Sequence, residues 1–364
     1  MSYHIRKYDT KKGTRYSVRY TTPDHKKSEK RGFLRKLDAD RWGAANVTTA
    51  QARGTFVDPA AGRKMVGALW TPYHDAKAVA LAKSTLDTLD VSWRTHVEPR
   101  WANVALADVR HDDVQQWVNE LAAKRSPTIT IRAHGVLSGI LKLAKADGLI
   151  GGNPCEDIVL PRKTGKPHVY LTGEELQALA DNAKWRRPIV LTLGCTGMRW
   201  GELAALRVGD VDLERHRIRI DRDVTEVNGA IVVNDTPKTH ERRTVMYPPQ
   251  LDDIMAEAVG NRGAQELLFP SKGGGYLRRT GNPNREDSWF MGAKRRAGFK
   301  DDKKTMTIHD LRHTAASLMV HSGANVKAVQ RQLGHKSAAM TLDTYADLFD
   351  DDLNDVRERM GLVW

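Results

Sequence analysis

The sequence predicts a multidomain chain: a small α+β N-terminal unit, an all-α middle unit and a mainly α (α+β) third unit. Three observations predict it. The 364 residues suffice for two or three domains of roughly 100–200 residues each. Positive charge is concentrated at one end: residues 1–64 hold 16 Lys/Arg against 6 Asp/Glu, a balance of +10 within a net +13 for the whole chain. The hydrophobic period also changes along the chain, from strand alternation near Tyr16 to helical spacing after Ser126.

Composition excludes several classes. Hydrophobic residues are 40%, enough for packed cores, and no apolar run approaches the ~20 residues of a membrane span. Met1–Tyr20 is polar and basic, without the apolar stretch of a secretory leader. Two cysteines, Cys155 and Cys195, make neither a disulfide framework nor a metal cluster. These features place the chain in a reducing, cytoplasmic compartment. Clustered Lys and Arg release counterions from phosphates, so the basic segment points to nucleic acid.

In residues 1–64, Tyr16, Val18 and Tyr20 alternate with Ser17 and Arg19, a strand. Thr22-Pro23-Asp24 makes a turn, and a second strand includes Lys30–Phe33. A helix opens at Leu37 and runs to about Arg53, with Trp42 and Ala45 on one side. The basic and aromatic residues interleaved here, Arg15, Tyr16, Arg19, Lys26, Lys27, Lys30 and Arg31, are the expected DNA contacts. Gly54 and Pro59-Ala60-Ala61-Gly62 end the unit.

Residues 65–160 read as helical. Asp113 is placed to cap a helix running through Leu121. Ser126-Pro127 is a helix start, and Ala133, Val136, Leu137, Ile140, Leu141 and Ala144 form the stripe that follows. Gly148 suits a C-terminal cap. Residues 161–169 form a linker. In residues 170–346, Thr172 and Glu175 make a capping box, a helix covers Pro188–Leu193, and Gly194 and Gly197 break it. Arg217–Asp221, Ile231–Val233 and Val245–Tyr247 read as strands, with helices to the end. Residues 347–364 are an acidic tail ending in Leu362-Val363-Trp364.

Four stretches carry residues that a packed core does not explain. They are Thr196-Gly197-Met198-Arg199-Trp200-Gly201-Glu202, His309-Asp310-Leu311-Arg312-His313, Leu333-Gly334-His335 and Thr341-Leu342-Asp343-Thr344-Tyr345. His309 and Arg312 share a helix face outside the stripe of Leu311, Ala315, Leu318 and Met319, an arrangement suited to gripping an anion. His309 and His313 also stand four apart, as zinc ligands do. Arg312 between them opposes a bound cation, so no metal site is expected.

Taken together, in this order and at these separations, the four stretches resemble the tyrosine recombinase family, and within it the phage-type integrases. The resemblance covers 170–346. It implies that Arg199 and Arg312 clamp a scissile phosphate, because their forked donors match its oxygens. It implies that Tyr345 is the nucleophile and forms a 3′-phosphotyrosyl bond. His309 would help accept the tyrosine proton, and His335 would bond the phosphate. Glu202 would support the arginine and histidine without touching substrate. Lys238, in Thr236-Pro237-Lys238-Thr239, resembles the hairpin lysine that protonates the leaving 5′-oxygen. Lys272, Lys303 and Lys304 are alternatives for that role.

The resemblance further implies a core-binding helical domain at 65–160 and an arm-type DNA-binding domain at 1–64. It implies a homotetramer that exchanges strands through a Holliday junction, with no metal or nucleotide cofactor, in the cytoplasm and on the nucleoid of a bacterial host. Core-type and arm-type DNA sites, a directionality factor and a host DNA-bending protein are the implied partners. The tail would dock on a neighbouring protomer. The rivals are a transposon or integrative-element integrase of the same family, a chromosome-dimer recombinase, a type IB topoisomerase and a DNA-binding protein without catalysis.

Overall fold

The structure is a computed structural model that describes residues 3–22, 26–49, 61–163, 165, 168–235, 242–279, 288–300, 303 and 305–346. The turn at Pro23-Asp24, the linker at Gly54 and Pro59-Ala60, Lys238, Lys304 and the tail 347–364 lie outside them. The chain divides into two compact units, Met1–Gly165 and Lys166–Trp364. No helix among the described residues is long and apolar enough to cross a membrane.

The first unit opens with an antiparallel sheet in the order β1 (His4–Thr10), β2 (Gly13–Thr21), β3 (Lys27–Phe33). The alternation in β2 sends Val18 and Tyr20 into a small core with Ala39 and Val47. Helix α1 (Lys36–Gly43) covers that face, and Trp42 packs 5.9 Å from the Tyr20 ring and 5.8 Å from Phe33. The chain then continues as a π-helical turn, Ala44–Thr49. The buried side of this segment is Ala39, Gly43 and Val47, whereas Ala45 is exposed. The expected pairing of Trp42 with Ala45 is corrected: the wider π turn rotates Ala45 outward.

A bundle follows: α2 (Trp70–Ala78), α3 (Lys83–Ser92), α4 (Glu98–Trp101), α5 (His111–Lys124) and α6 (Pro127–Ala146). The whole stripe Ala133, Val136, Leu137, Ile140, Leu141 and Ala144 is buried, each of its larger aliphatics contributing roughly 1.5–3 kcal/mol. Tryptophans fill the rest, with Trp70 stacked on Trp93 at 4.6 Å and Trp101 edge-on to Trp117 at 5.8 Å. Pro127 occupies the first turn of α6, and Gly148 follows its end at φ +68°. Asp113 does not cap α5. The helix starts earlier, at His111, and places Asp113 inside the first turn, where a carboxylate favours the positive end of the helix dipole.

In the second unit the Thr172 box closes as expected. Glu175 N–H donates to Thr172 Oγ1 at 3.2 Å, and Thr172 N–H donates to Glu175 at 3.0 Å, opening α7 (Gly173–Asp181). Helix α8 (Arg187–Thr196) passes through Gly194 unbroken. There a Cβ would fall 2.5 Å from Leu176, so glycine lets α7 and α8 approach, and only Gly197 ends the helix. Then come α9 (Trp200–Ala205), a three-stranded sheet in the order β4 (Val211–Asp212), β5 (Arg217–Ile220), β8 (Arg243–Met246), and a hairpin of β6 (Asp223–Val227) with β7 (Ala230–Asn234). Helices α10 (Asp252–Val259), α11 (Trp289–Arg296), α12 (Asp310–His321), α13 (Val326–Leu333) and α14 (Ala338–Tyr345) complete it. Burial pushes the thiols of Cys155 and Cys195 up to about 12 and about 11.

Candidate active site

The site is built where four segment ends meet. Gly197 leaves α8 at φ +69°, turning the chain so that Arg199 stands at the N-terminus of α9. His309 stands at the N-terminus of α12, with Arg312 one turn in. Arg199, Glu202, His309 and Arg312 line one cavity of about 470 Å³, together with Arg279 and the β6 residues Asp223–Glu226. The four expected residues of the Arg and His boxes are thus brought together from two segments more than 100 residues apart.

Arg312 is almost wholly buried and donates to two backbone carbonyls, Gly197 at 2.6 Å and Leu333 at 2.7 Å. Its fork ties the end of α8 to the end of α13. Burial, with Arg199 nearby, pulls the Arg312 pKa down to about 9. A cation so crowded gains from any anion that enters the cavity. His309 keeps solvent access at the rim, but its ring is crowded by protein. That desolvation, and then Arg312, lower its pKa.

Glu202 is the buried counter-charge. It accepts from Arg199 N–H at 2.8 Å and Arg199 Nη1 at 2.9 Å, and it receives both prongs of Arg243 at 2.8 and 2.7 Å. Against the cost of burial, the Arg243 bonds and the two cations hold its carboxyl down at about 2. Arg243 on β8 passes beneath Gly334, where a Cβ would fall 2.8 Å from its side chain. Gln332 joins the same corner, accepting from Met246 N–H at 3.0 Å and donating to Met246 O at 2.7 Å. Sequence reasoning did not assign Arg243, Gln332 or Arg279. Arg243 lies five residues after Lys238, just beyond the stretch already singled out, and that proximity was the available signal.

His335 and Tyr345 stand next to each other, their rings nearly parallel at 6.3 Å. His335 Nδ1 bonds Thr341 Oγ1 at 2.9 Å, and burial, then Arg312, bring its pKa to about 4. Tyr345 closes α14 and is 2% exposed. Burial pushes its hydroxyl up to about 12, opposed by the cation of Arg312. The hydroxyl shares a 2.8 Å hydrogen bond with His313 Nδ1. Burial and the neighbouring His168 and His309 bring His313 to about 4. With the tyrosine hydroxyl pushed up and the histidine pushed down, both are neutral. His168, Asp310 and His313 also come within 4.8 Å of one another at their ligand atoms. The His168 and His313 ring centroids lie 3.9 Å apart with their planes tilted by 31°.

Lys238 lies outside the described residues. Of its alternatives, Lys272 is exposed and Lys303 pairs with Glu175. In the N-terminal sheet, the expected contacts divide between two faces. Arg15, Arg19 and Arg31 share the outer face with Arg6 and Tyr8, as the register Tyr8↔Arg15, Arg6↔Ser17, Arg19↔Glu29 requires. Lys27 opposes Thr21 on that side, and Lys26 is exposed just before β3. Tyr16 and Lys30 lie on the helix-covered side: Tyr16 packs on the small core, and Lys30 pairs with Val18. Glu29, held down at about 2 by Ser17, Arg31 and Arg19, offsets part of the outer charge.

Comparison with known proteins accords with this geometry. Residues 170–351 match the phage integrase family. The integrase of Mycobacterium phage D29 is 26% identical over 86% of this chain and 84% of its own. A putative prophage phiRv2 integrase of Mycobacterium tuberculosis is 28% identical over 90% of this chain and 88% of its own. Among solved structures, the Tn1549 transposon integrase in complex with a circular intermediate DNA aligns with a TM-score of 0.67 at 19% identity, covering 82% of this chain and 99% of that one. A lambda integrase dimer bound to a core site aligns at 0.61 and 18% identity, covering 95% and 94%. The fold is therefore that of the tyrosine recombinase catalytic domain, helix-rich with a small N-terminal sheet, and the chain belongs to the phage integrase family of tyrosine recombinases.

Proposed function

We propose that the protein is a site-specific DNA recombinase that integrates and excises a mobile element through a covalent phosphotyrosyl intermediate. The observation that carries this reading is the convergence of Arg199, His309 and Arg312 on one cavity, with Tyr345 and His335 beside Arg312. Two arginines and a histidine lining one cavity suit a phosphodiester. As Tyr345 Oη attacks phosphorus, charge builds on the phosphoryl oxygens, and Arg199 and Arg312 stabilise it. The new Tyr–O–P bond replaces the P–O5′ bond, and the departing 5′-oxygen takes a proton, for which Lys238 is the proposed donor. His309 receives the tyrosine proton. A 5′-hydroxyl from a partner strand then reverses the step. Each exchange keeps one phosphoester bond, so no external energy source is needed.

The lambda integrase tetramer described on a Holliday junction supports the same assembly here. The outer face of the N-terminal sheet, with Arg6, Arg15, Arg19 and Arg31, is proposed to contact a second, arm-type DNA site, and the bundle at 65–160 the core site. A directionality factor, a DNA-bending host protein, docking of the tail in trans and cytoplasmic, nucleoid-bound action belong to this reading.

The test is covalent trapping. Wild type and Tyr345→Phe are incubated in EDTA with nicked suicide duplexes drawn from the junctions of the element that carries the gene, then run on denaturing gels. An adduct with wild type alone is expected. An adduct with Tyr345→Phe would reject the nucleophile. No adduct from either, on DNA that is bound, would favour a DNA-binding protein without catalysis. Supercoil relaxation without paired sites would point to a topoisomerase.

A further inference from the structure

We propose that His313 is a positioning residue that keeps the Tyr345 hydroxyl seated and out of reach until the enzyme engages DNA. The proposal rests on the reading of Tyr345 as nucleophile. Three observations carry it. First, Tyr345 is not among the residues that line the cavity of Arg199, His309 and Arg312, and it is 2% exposed. In this seat its oxygen has no open approach to a phosphate in that cavity. Second, that oxygen is engaged with His313 Nδ1 at 2.8 Å, so attack requires the bond to break. Third, His313 is itself fixed. It lies at the end of the first turn of α12, is 8% exposed, has the His168 ring centroid 3.9 Å away at a 31° tilt and stands edge-on to His309 at 5.2 Å.

The seat has a second anchor. Thr341, fully buried one turn earlier on α14, bonds His335 at 2.9 Å. The two bonds differ in kind. His335 belongs to the expected phosphate-binding set, and with Nδ1 on Thr341 it has Nε2 to offer a phosphate. His313 faces the tyrosine and not the cavity, so its hold is released only when α14 moves. The rate of adduct formation therefore contains a step in which the His313 bond opens.

Two measurements on the full-length protein test this. Without DNA, hydrogen exchange of peptides spanning 338–346 and nitration of Tyr345 by tetranitromethane, located by mass spectrometry, read the seat directly. His313→Leu is expected to raise both about five- to tenfold, the weight of one lost buried hydrogen bond. His313→Asn, whose amide reaches the Nδ1 position, is expected to restore protection. In single turnover on the suicide duplex, His313→Leu is expected to form adduct at least as fast as wild type once DNA is saturating. Unchanged exchange and nitration in His313→Leu would overturn the proposal. So would failure of His313→Asn to restore protection, which would reveal general loosening of α12. Loss of adduct in His313→Leu, with Tyr345 still protected, would instead make the histidine part of the chemistry. The exchange and nitration readouts do not use cleavage, so they stand apart from the Tyr345→Phe trapping result.

Discussion

Glu202 is the residue on which the charges of the site balance. Removing its charge leaves Arg199 and Arg243 facing each other beside Arg312. Glu202→Gln is expected to cost about 3–5 kcal/mol, measured by urea unfolding, and Arg243→Ala a similar amount. Because they share one bond network, the double variant should cost less than the sum. Acid acts on the same network with a defined sign. Glu202 is held at about 2, below its unfolded 4.5, so its contribution is complete above pH 4.5 and is lost as pH falls toward 2, about 3 kcal/mol in all. His313 and His335 are held at about 4, below their unfolded 6.5, so the folded state binds fewer protons and stability starts to fall below pH 6.5. Thermal midpoints across pH should therefore be flat above pH 7 and drop in two stages. Arg312→Lys removes the fork that reaches Gly197 and Leu333. Adduct formation should fall by at least about 100-fold with DNA binding retained, checked by trapping beside gel-shift.

At the scale of elements, what the sequence disclosed depended on whether local pattern or distant packing made the element. Helix α6 was legible in full because Ser126, Pro127 and an unbroken stripe all agree. The box at Thr172 was equally local, and Thr172→Ala should cost about 1 kcal/mol in unfolding while adduct formation persists. Strand β1 was not legible, since its apolar residues Ile5 and Tyr8 fall on opposite faces and give no alternation. Strand β4 is two residues long, too short to register a period, and β6 sets its valines, Val224 and Val227, on opposite faces. The four catalytic boxes were visible as residue types. Their support was not, because the bonds of Arg243 to Glu202 and of Gln332 to Met246 span 41 and 86 residues. Gly334 shows the same divide. Its φ of +67° ends α13, and its missing Cβ leaves room for Arg243. Gly334→Ala should lower the melting midpoint and also slow trapping about tenfold, since strain and a displaced Arg243 act together.

Across the whole molecule, charge is divided between tasks. The basic excess sits in residues 1–64, while the catalytic cavity gathers its arginines around one buried carboxylate. Replacing Arg6, Arg15, Arg19 and Arg31 together by Gln should flatten the dependence of DNA affinity on salt. It should abolish binding to arm-type duplexes and leave suicide cleavage of a core duplex unchanged; titration by fluorescence anisotropy at several salt concentrations checks it. The state of the two cysteines carries one more consequence. Thiols with pKa near 12 and 11 hold almost no thiolate at neutral pH, and only thiolate reacts with maleimides. Cysteines introduced at exposed Lys27 and Lys272 would thus label orders of magnitude faster than the native pair. A chain bearing those two substitutions, with its native thiols left in place, would carry a donor and an acceptor dye on its two units and report their separation as DNA is captured, cut and released.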